Sequence, residues 1–170
     1  MRRQEPGIDR GIGREVKLRR ATPADSEFAF QTKKAALGRY IEQVWGWDEA
    51  EQRRFHEDRY ARREYHVIQT SGADVGILVA ERLPSHIAVY QLFVLPEHQG
   101  KGLGTECMKR ILADAAALKL PVRLDVLKVN RQALRFYRGL GFRSVDETET
   151  HIKMEGIGGE KAPIRRDRPT

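Results

Sequence analysis

An apolar segment that runs directly into a cluster of glycines is the feature that most restricts how this chain can fold. Residues 87–95, IAVYQLFVL, have the composition of a central strand that is buried on both faces. They lead into PEHQGKGLGTECM, in which Gly100, Gly102 and Gly104 precede a helix-like pattern. Glycine within a helix costs roughly 0.5–1 kcal/mol relative to alanine. Three glycines at a helix entrance therefore indicate that a group approaches this backbone closely.

A strand, a glycine-rich turn and a helix N-terminus together form a typical anion-binding arrangement. The first N–H groups of a helix lack backbone partners, and the helix dipole favours negative charge beside them. Small residues let phosphate oxygens reach these amides. Two common phosphate motifs do not fit, because no Lys-Ser/Thr pair closes the run and the glycines are spaced GxGxG rather than GxGxxG. An ordinary glycine-rich turn remains the alternative.

The composition predicts one soluble domain. A chain of 170 residues can bury a single core, and one cysteine, Cys107, excludes an internal disulfide framework. No apolar run reaches the roughly 18 residues of a membrane span, and no signal-type stretch follows the basic N-terminus. We therefore expect a cytoplasmic protein that has no membrane partner.

The positive charge is concentrated at the N-terminus. The formal net charge is +7, and more than half of it lies in residues 1–20. Segments of this composition are usually flexible and solvated. We expect residues 1–15 to form a flexible basic arm and residues 155–170 a flexible tail, and we expect no nucleic-acid partner.

The patterns between residues 16 and 154 predict a mixed α/β fold in the order β-α-α-β-β-β-α-β-α-β-β. Thr22 and Asp48 are the expected N-caps of the first two helices, the first of which should end near Leu37. A hairpin is predicted around SGAD, followed by the 87–95 strand and the helix that the glycines open. The alternating strand PVRLDVLKV, a short helix that starts at Asn130, and the strands FRSVD and THIKME complete the order.

The glycine segment and its surroundings resemble the GNAT superfamily of N-acetyltransferases. Gln99–Gly104 matches the pattern Q/R-x-x-G-x-G/A, with which that family holds the pyrophosphate of acetyl-CoA. NRQALRFYRGLGF, further along the chain, is similar to the family's N-x-x-A-x-x-x-Y/F-x-x-x-G-F segment. The resemblance covers residues 16–154 as architecture and 87–142 as motifs. It implies a single domain with a mixed, mostly antiparallel sheet flanked by helices.

The resemblance also implies that the cofactor is acetyl-CoA. The strands 87–95 and 122–129 would be parallel neighbours that splay apart, and the pantetheine arm would lie between them like an added strand. The residues expected to bind CoA are Leu92, Phe93, Val94 and Asn130 near the arm, Gln99, Gly100, Lys101, Gly102, Leu103, Gly104 and Thr105 at the pyrophosphate, and Tyr137 beside the thioester sulfur.

Two residues carry the expected acid–base chemistry. Tyr137 would donate a proton to the departing thiolate as the general acid, although its spacing also suits core packing. Many family members place a glutamate on the strand before the glycines, but IAVYQLFVL contains no carboxylate. Asp125 is the candidate base, with a structural ion pair to Arg123 or Lys128 as the alternative. Glu81 and a relayed water also remain open.

The acceptor is expected near the first two helices. Tyr40, Trp45 and Trp47 lie close to Glu49 in GRYIEQVWGWDEAEQ, and aromatic rings beside carboxylates suit an ammonium group. Packing of both tryptophans onto the sheet is the alternative. The five histidines show no metal-ligand spacing, so we expect no metal site.

Two functions are consistent with these residues. The first is an acetyl-CoA-dependent N-acetyltransferase that acts by direct attack of a primary amine of a small molecule or peptide. The alternative is a non-catalytic acyl-CoA sensor or interaction module of the same fold. The sequence leaves the acceptor open, and both a monomer and a homodimer are compatible with it.

Overall fold

The computed structural model describes residues 15–159, and these contain one seven-stranded sheet. Its order is β1-β2-β3-β4-β5-β7-β6, and only β4 and β5 are parallel neighbours. The predicted element order and the mixed, mostly antiparallel sheet are confirmed. The strands are β1 (Val16–Arg20), β2 (His66–Thr70), β3 (Ala73–Arg82), β4 (Ile87–Val94), β5 (Pro121–Leu127), β6 (Arg143–Glu147) and β7 (His151–Ile157).

The predicted terminal segments fall mostly outside these residues. Residues 1–14 of the basic arm and 160–170 of the tail are not described. The last strand, β7, continues to Ile157, three residues beyond the predicted end of the domain at 154. Within residues 15–159, none of the helices is both long and apolar enough to cross a membrane.

Four helices cover the two faces of the sheet: α1 (Ser26–Trp45), α2 (Glu49–Arg62), α3 (Leu103–Leu118) and α4 (Arg131–Gly139). Side chains of a strand alternate between faces, and β3 shows this directly. Leu78 belongs to the larger core, with α3 and α4. Ile77 and Val79 belong to the smaller core, with α1. The sheet is therefore the middle layer of the domain.

The expected helix N-caps at Asp48 and Asn130 are confirmed. The Asp48 carboxylate accepts a hydrogen bond from Glu51 N at 2.8 Å, and Asn130 Oδ1 accepts one from Ala133 N at 3.0 Å. Thr22 precedes a short 3-10 turn, Pro23–Asp25, that leads into α1.

The predicted end of the first helix near Leu37 is wrong. The helix α1 continues through Gly38 to Trp45 and ends at Gly46, whose φ is 80°. Gly38 is buried, and a Cβ built on it would lie 3.6 Å from Cζ3 of Trp47. The helix therefore continues through this glycine, and the Trp47 ring lies beside it.

Candidate active site

A wedge between β4 and β5 forms the centre of the site. The two strands pair only at Ile87 with Val122 and at Ala88 with Arg123, and they separate beyond these pairs. On its other side each strand pairs with a neighbour, β4 with β3 except for a bulge at Tyr90, and β5 with β7. A cavity of about 1470 Å³ fills the wedge and is lined by residues of both strands, α1, α2 and α4. The splayed strands that the sequence led us to expect are present.

The backbone of β4 offers free hydrogen-bonding groups to this wedge. Leu95 N donates to Val75 O on β3, and bonded pairs alternate along antiparallel strands. Phe93 is therefore bonded to β3, whereas Leu92 and Val94 present their N–H and C=O groups to the open side. One of these groups is already used, since Gln99 Nε2 donates to Val94 O at 2.9 Å. Of the three predicted backbone contacts, Leu92 and Val94 are the two that face the wedge.

Six consecutive amides stand at the mouth of the wedge. The N–H groups of residues 100–105 find no acceptor among residues 15–159, and the first one that does, Glu106 N, donates to Gly102 O at 3.0 Å. Gly100, Gly102, Gly104 and Thr105 line the cavity. Unpaired N–H groups at the positive end of a helix are suited to bind an anion. This arrangement fits the pyrophosphate that the glycine motif predicts.

The three glycines of the motif have different structural reasons. Gly100 and Gly102 adopt φ values of 72° and 83°, which L side chains rarely adopt. Gly104 instead lies against α4, because a Cβ built there would be 3.3 Å from Cζ of Phe136. Close approach of a ligand is thus not the whole reason for the third glycine. Among the other predicted residues of the motif, Leu103 is buried in the larger core and Lys101 is exposed and does not line the cavity.

Tyr137 packs in the core, as its spacing also suggested, and it borders the cavity. It is 8% exposed, with its ring edge-on to Phe136 and Phe142 at centroid distances of 5.0 and 5.5 Å. It also lines the cavity, and its hydroxyl makes no hydrogen bond within residues 15–159. Burial raises the pKa of Tyr137 far above the ordinary value of 10.0. The phenol therefore stays protonated near neutral pH and can act as a proton donor.

Asp125 lies on β5 in the wall of the same cavity and is exposed. Its suggested ion-pair partners are engaged elsewhere: Arg123 Nε lies 2.8 Å from Glu155 Oε2, and Lys128 Nζ lies 3.5 Å from Glu147 Oε2. No ion pair involves Asp125 in the part of the chain that the structure describes. Its carboxylate therefore faces the cavity wall without a cationic partner among the described residues.

Glu81, the other candidate base, does not line this cavity. Near the end of β3, its Oε2 lies 3.0 Å from Nη1 of Arg63 in an ion pair. Asn130 does line the cavity, although its side-chain oxygen is used by the cap of α4.

The four predicted acceptor contacts divide into two pairs. Tyr40 and Trp45 line the cavity, whereas Trp47 and Glu49 do not. Trp47 Nε1 donates to Glu49 Oε2 at 2.7 Å, and Glu49 Oε2 also lies 2.8 Å from Lys34 Nζ. Two of the four residues expected to bind an ammonium group, Trp47 and Glu49, thus hydrogen-bond to each other where α1 packs on α2.

Sequence reasoning missed a polar cluster at the α1–α2 end of the cavity. Lys33, Gln52, Arg59 and Gln91 line it, and three of them, all except Arg59, are buried. Gln91 Nε2 donates to Tyr65 Oη at 3.2 Å, while its buried Oε1 has no partner among residues 15–159. The signal was present, since Lys33 follows Ala29 and Phe30 on the apolar stripe of α1 at helical spacing.

The family of the chain follows from comparison with known proteins. The model of the acetyltransferase (GNAT) family matches residues 31–142, which include the glycine motif, the wedge and Tyr137. This chain belongs to the GNAT family. A curated relative, thialysine N-epsilon-acetyltransferase of Mus musculus, is 29% identical to this GNAT protein over 75 residues. The alignment spans 43% of this chain and 44% of that relative.

Solved structures share the GNAT fold at low sequence identity. PaiA N-acetyltransferase from Thermoplasma acidophilum, in complex with coenzyme A, is similar with a TM-score of 0.68 and 14% identity, over 83% of this chain and 98% of that one. Spermidine N-acetyltransferase from Vibrio cholerae, in complex with CoA and spermine, is similar with a TM-score of 0.61 and 19% identity, over 84% and 95% of the two chains. These likenesses establish the fold of the domain.

Proposed function

We propose that this GNAT protein transfers the acetyl group of acetyl-CoA to a primary amine by direct attack. The observation that carries the proposal is that three features border one cavity. They are the glycine motif with its six unpaired amides, the free edge of β4, and buried Tyr137. The relatives that are named N-acetyltransferases support this activity.

Acetyl-CoA supplies a thioester carbonyl that a neutral amine attacks directly. The amides of residues 100–105 hold the pyrophosphate, and the open groups of Leu92 and Val94 orient the pantetheine arm as an added strand would. Lys101, exposed beside the motif, contributes at most a solvent-screened charge. These contacts fix the position of the reacting end relative to Tyr137.

Two side chains move the protons. The carboxylate of Asp125 accepts a proton from the incoming ammonium group, directly or through a water, so that the amine is neutral when it attacks. Tyr137 donates its hydroxyl proton to the sulfur as the C–S bond breaks, and its phenolate then takes up the second proton that the newly acetylated nitrogen must lose. The N–H of Leu92, which faces the wedge further from the glycine motif than that of Val94, can stabilise negative charge on the carbonyl oxygen. Tyr40 and Trp45 contact the acceptor at the other end of the cavity.

Thiol release tests this proposal. Purified protein is incubated with acetyl-CoA and a panel of polyamines, aminoglycosides, amino acids and peptides, and free CoA is titrated with a thiol reagent. We expect release above the amine-free background with at least one class of amine. Binding of CoA by calorimetry without any release would instead identify a non-catalytic acyl-CoA sensor.

A further inference from the structure

A buried lysine without an anionic partner lies in the acceptor half of the cavity. Lys33 is 4% exposed, and its Nζ donates one hydrogen bond, to Gln52 Oε1 at 3.0 Å. No carboxylate lies within ion-pair distance of it in residues 15–159. Three N–H donors on a charged group that make one neutral contact are an unfavourable arrangement in a protein interior.

Neighbouring charges add to this imbalance. Arg59 lies near enough for its charge, together with the larger effect of burial, to lower the pKa of Lys33 to about 8. Lys33 therefore remains mostly protonated at neutral pH. Arg59 itself has no ion pair within the described range. By contrast, Arg63 on the same wall pairs with Glu81 and stacks on Tyr90, with Cζ 3.4 Å from the ring centroid.

The charged residues that line the cavity are mostly basic, so the cavity is positively charged, as Lys33 is. Its lining includes six lysine and arginine residues and two acids, Glu51 and Asp125. Four of the six basic residues, Lys33, Arg39, Arg59 and Lys153, form no ion pair within the part of the chain described. A binding site for a plain polyamine would need the opposite balance.

The structure assigns Lys33 and Arg59 to the recognition of an anionic group, a carboxylate or a phosphate, on the acceptor amine. This inference rests on the proposed function and narrows its substrate class. The acceptor amine would extend toward Asp125 and the thioester, while its anionic group would pair with Lys33 Nζ at the α1–α2 end. Such a charge-assisted hydrogen bond is one of the stronger polar contacts in a buried site. The orphaned Oε1 of Gln91 can accept a further N–H of the same molecule.

Matched acceptors provide the test. Initial rates of CoA release are measured for 4-aminobutanoate, 6-aminohexanoate and lysine, and for propylamine, pentylamine and cadaverine, which lack the carboxylate. The dipeptides Ser-Glu and Ser-Gln form a fourth pair, and O-phosphoethanolamine against ethanolamine is the phosphate arm. In at least one pair we expect a kcat/KM at least tenfold higher for the anionic member. The pair that responds distinguishes carboxylate from phosphate.

Variants then locate the effect. K33M removes the charge and keeps a side chain of similar length, and R59Q removes the second charge at an exposed position. K34M is the matched control, because Lys34 is adjacent, is partly exposed and pairs with Glu49 outside the cavity. We expect K33M to reduce the anionic preference at least tenfold, R59Q to reduce it by less, and K34M to retain it.

Separate outcomes decide the two proposals. Equal kcat/KM values within every pair, or a preference that survives in both K33M and R59Q, would overturn the anionic acceptor while leaving the acetyltransferase proposal intact. If no amine releases CoA, the acetyltransferase proposal fails, and binding of 6-aminohexanoate by calorimetry decides the anion site independently. Binding that K33M abolishes and K34M retains supports the site, and its absence in the wild type refutes it.

Discussion

Ile87 and Val122 face each other in parallel register at the closed end of the wedge, and one residue further along each strand the pairing stops. Both strands lie in the interior of the sheet, so a full ladder between them would leave no room for a ligand. The separation instead exposes N–H and C=O groups that are satisfied neither by β3 nor by β7. Since unpaired backbone groups in a buried groove are unfavourable, an extended molecule lying along this edge would supply the hydrogen bonds that the neighbouring strands do not.

The first prediction concerns the amides at the mouth of this groove. G102V places a branched side chain beside the six unpaired N–H groups, and we expect the KM for acetyl-CoA to rise at least tenfold. The residue also has a φ of 83°, so the variant should lose about 1–2 kcal/mol of stability for a reason unrelated to binding. The measurement is KM from initial rates, together with urea denaturation.

G72V separates these two effects. Gly72 has a φ of 75° in the β2–β3 turn, a Cβ there would meet no atom within 4 Å, and it does not line the cavity. It should lose similar stability and keep the KM of the wild type. An unchanged KM in G102V would argue against the pyrophosphate site. Gly104 is less informative, because substitution there also disturbs Phe136.

The cofactor half of the site could be predicted from sequence because its signals are local. A glycine spacing, a preceding apolar strand and a phenol in the closing helix are all visible in the order of residues. The acceptor half depends on how α1 and α2 pack, which is a tertiary property. Trp47 and Glu49 were expected to face a ligand but hydrogen-bond to each other, and the first helix was expected to end near Leu37 although it continues to Trp45. Lys33 was missed, because a lysine is rarely buried.

The second prediction concerns the proton donor. Y137F retains the ring that packs on Phe136 and Phe142 and removes only the hydroxyl. We expect kcat to fall by about 10²-fold, which is within the usual range for a general acid, while the Kd for CoA changes less than threefold. Y60F is the control, because the Tyr60 hydroxyl bonds to Thr22 O at 2.6 Å and the residue does not line the cavity. If kcat is the same in Y137F and the wild type, Tyr137 is only a core residue.

The third prediction concerns the base. D125N removes the carboxylate that we propose as the base, so the decline of kcat/KM toward acidic pH should lose the component that Asp125 contributes. At the pH optimum we expect a decrease of about tenfold or more. D114N provides the comparison, because Asp114 is an exposed acid on α3 that does not line this cavity. A pH profile of D125N that keeps the acidic limb of the wild type would show that another group accepts the proton.

The fourth prediction concerns how far the buried charge of Lys33 lowers the free energy of unfolding. Burial lowers the pKa of Lys33 from 10.5 to about 8 in the folded protein, so the unfolded chain binds more protons between these values. The stability of the wild type should therefore rise with pH across this interval. Below pH 8, K33M should be more stable than the wild type by about 1–2 kcal/mol, once the lost hydrogen bond to Gln52 is subtracted. This difference should shrink as the pH approaches 10.5. Urea denaturation at pH 6.5, 8 and 10 measures this difference.

The control variant, K34M, removes a half-exposed ion pair with Glu49. It should lower the stability by no more than about 1 kcal/mol. If K33M is less stable than the wild type at pH 6.5, other groups already offset the unfavourable burial of the Lys33 charge in the ligand-free protein. If K33M instead gains stability while losing its preference for anionic acceptors, the wild-type lysine is retained for binding at the expense of stability.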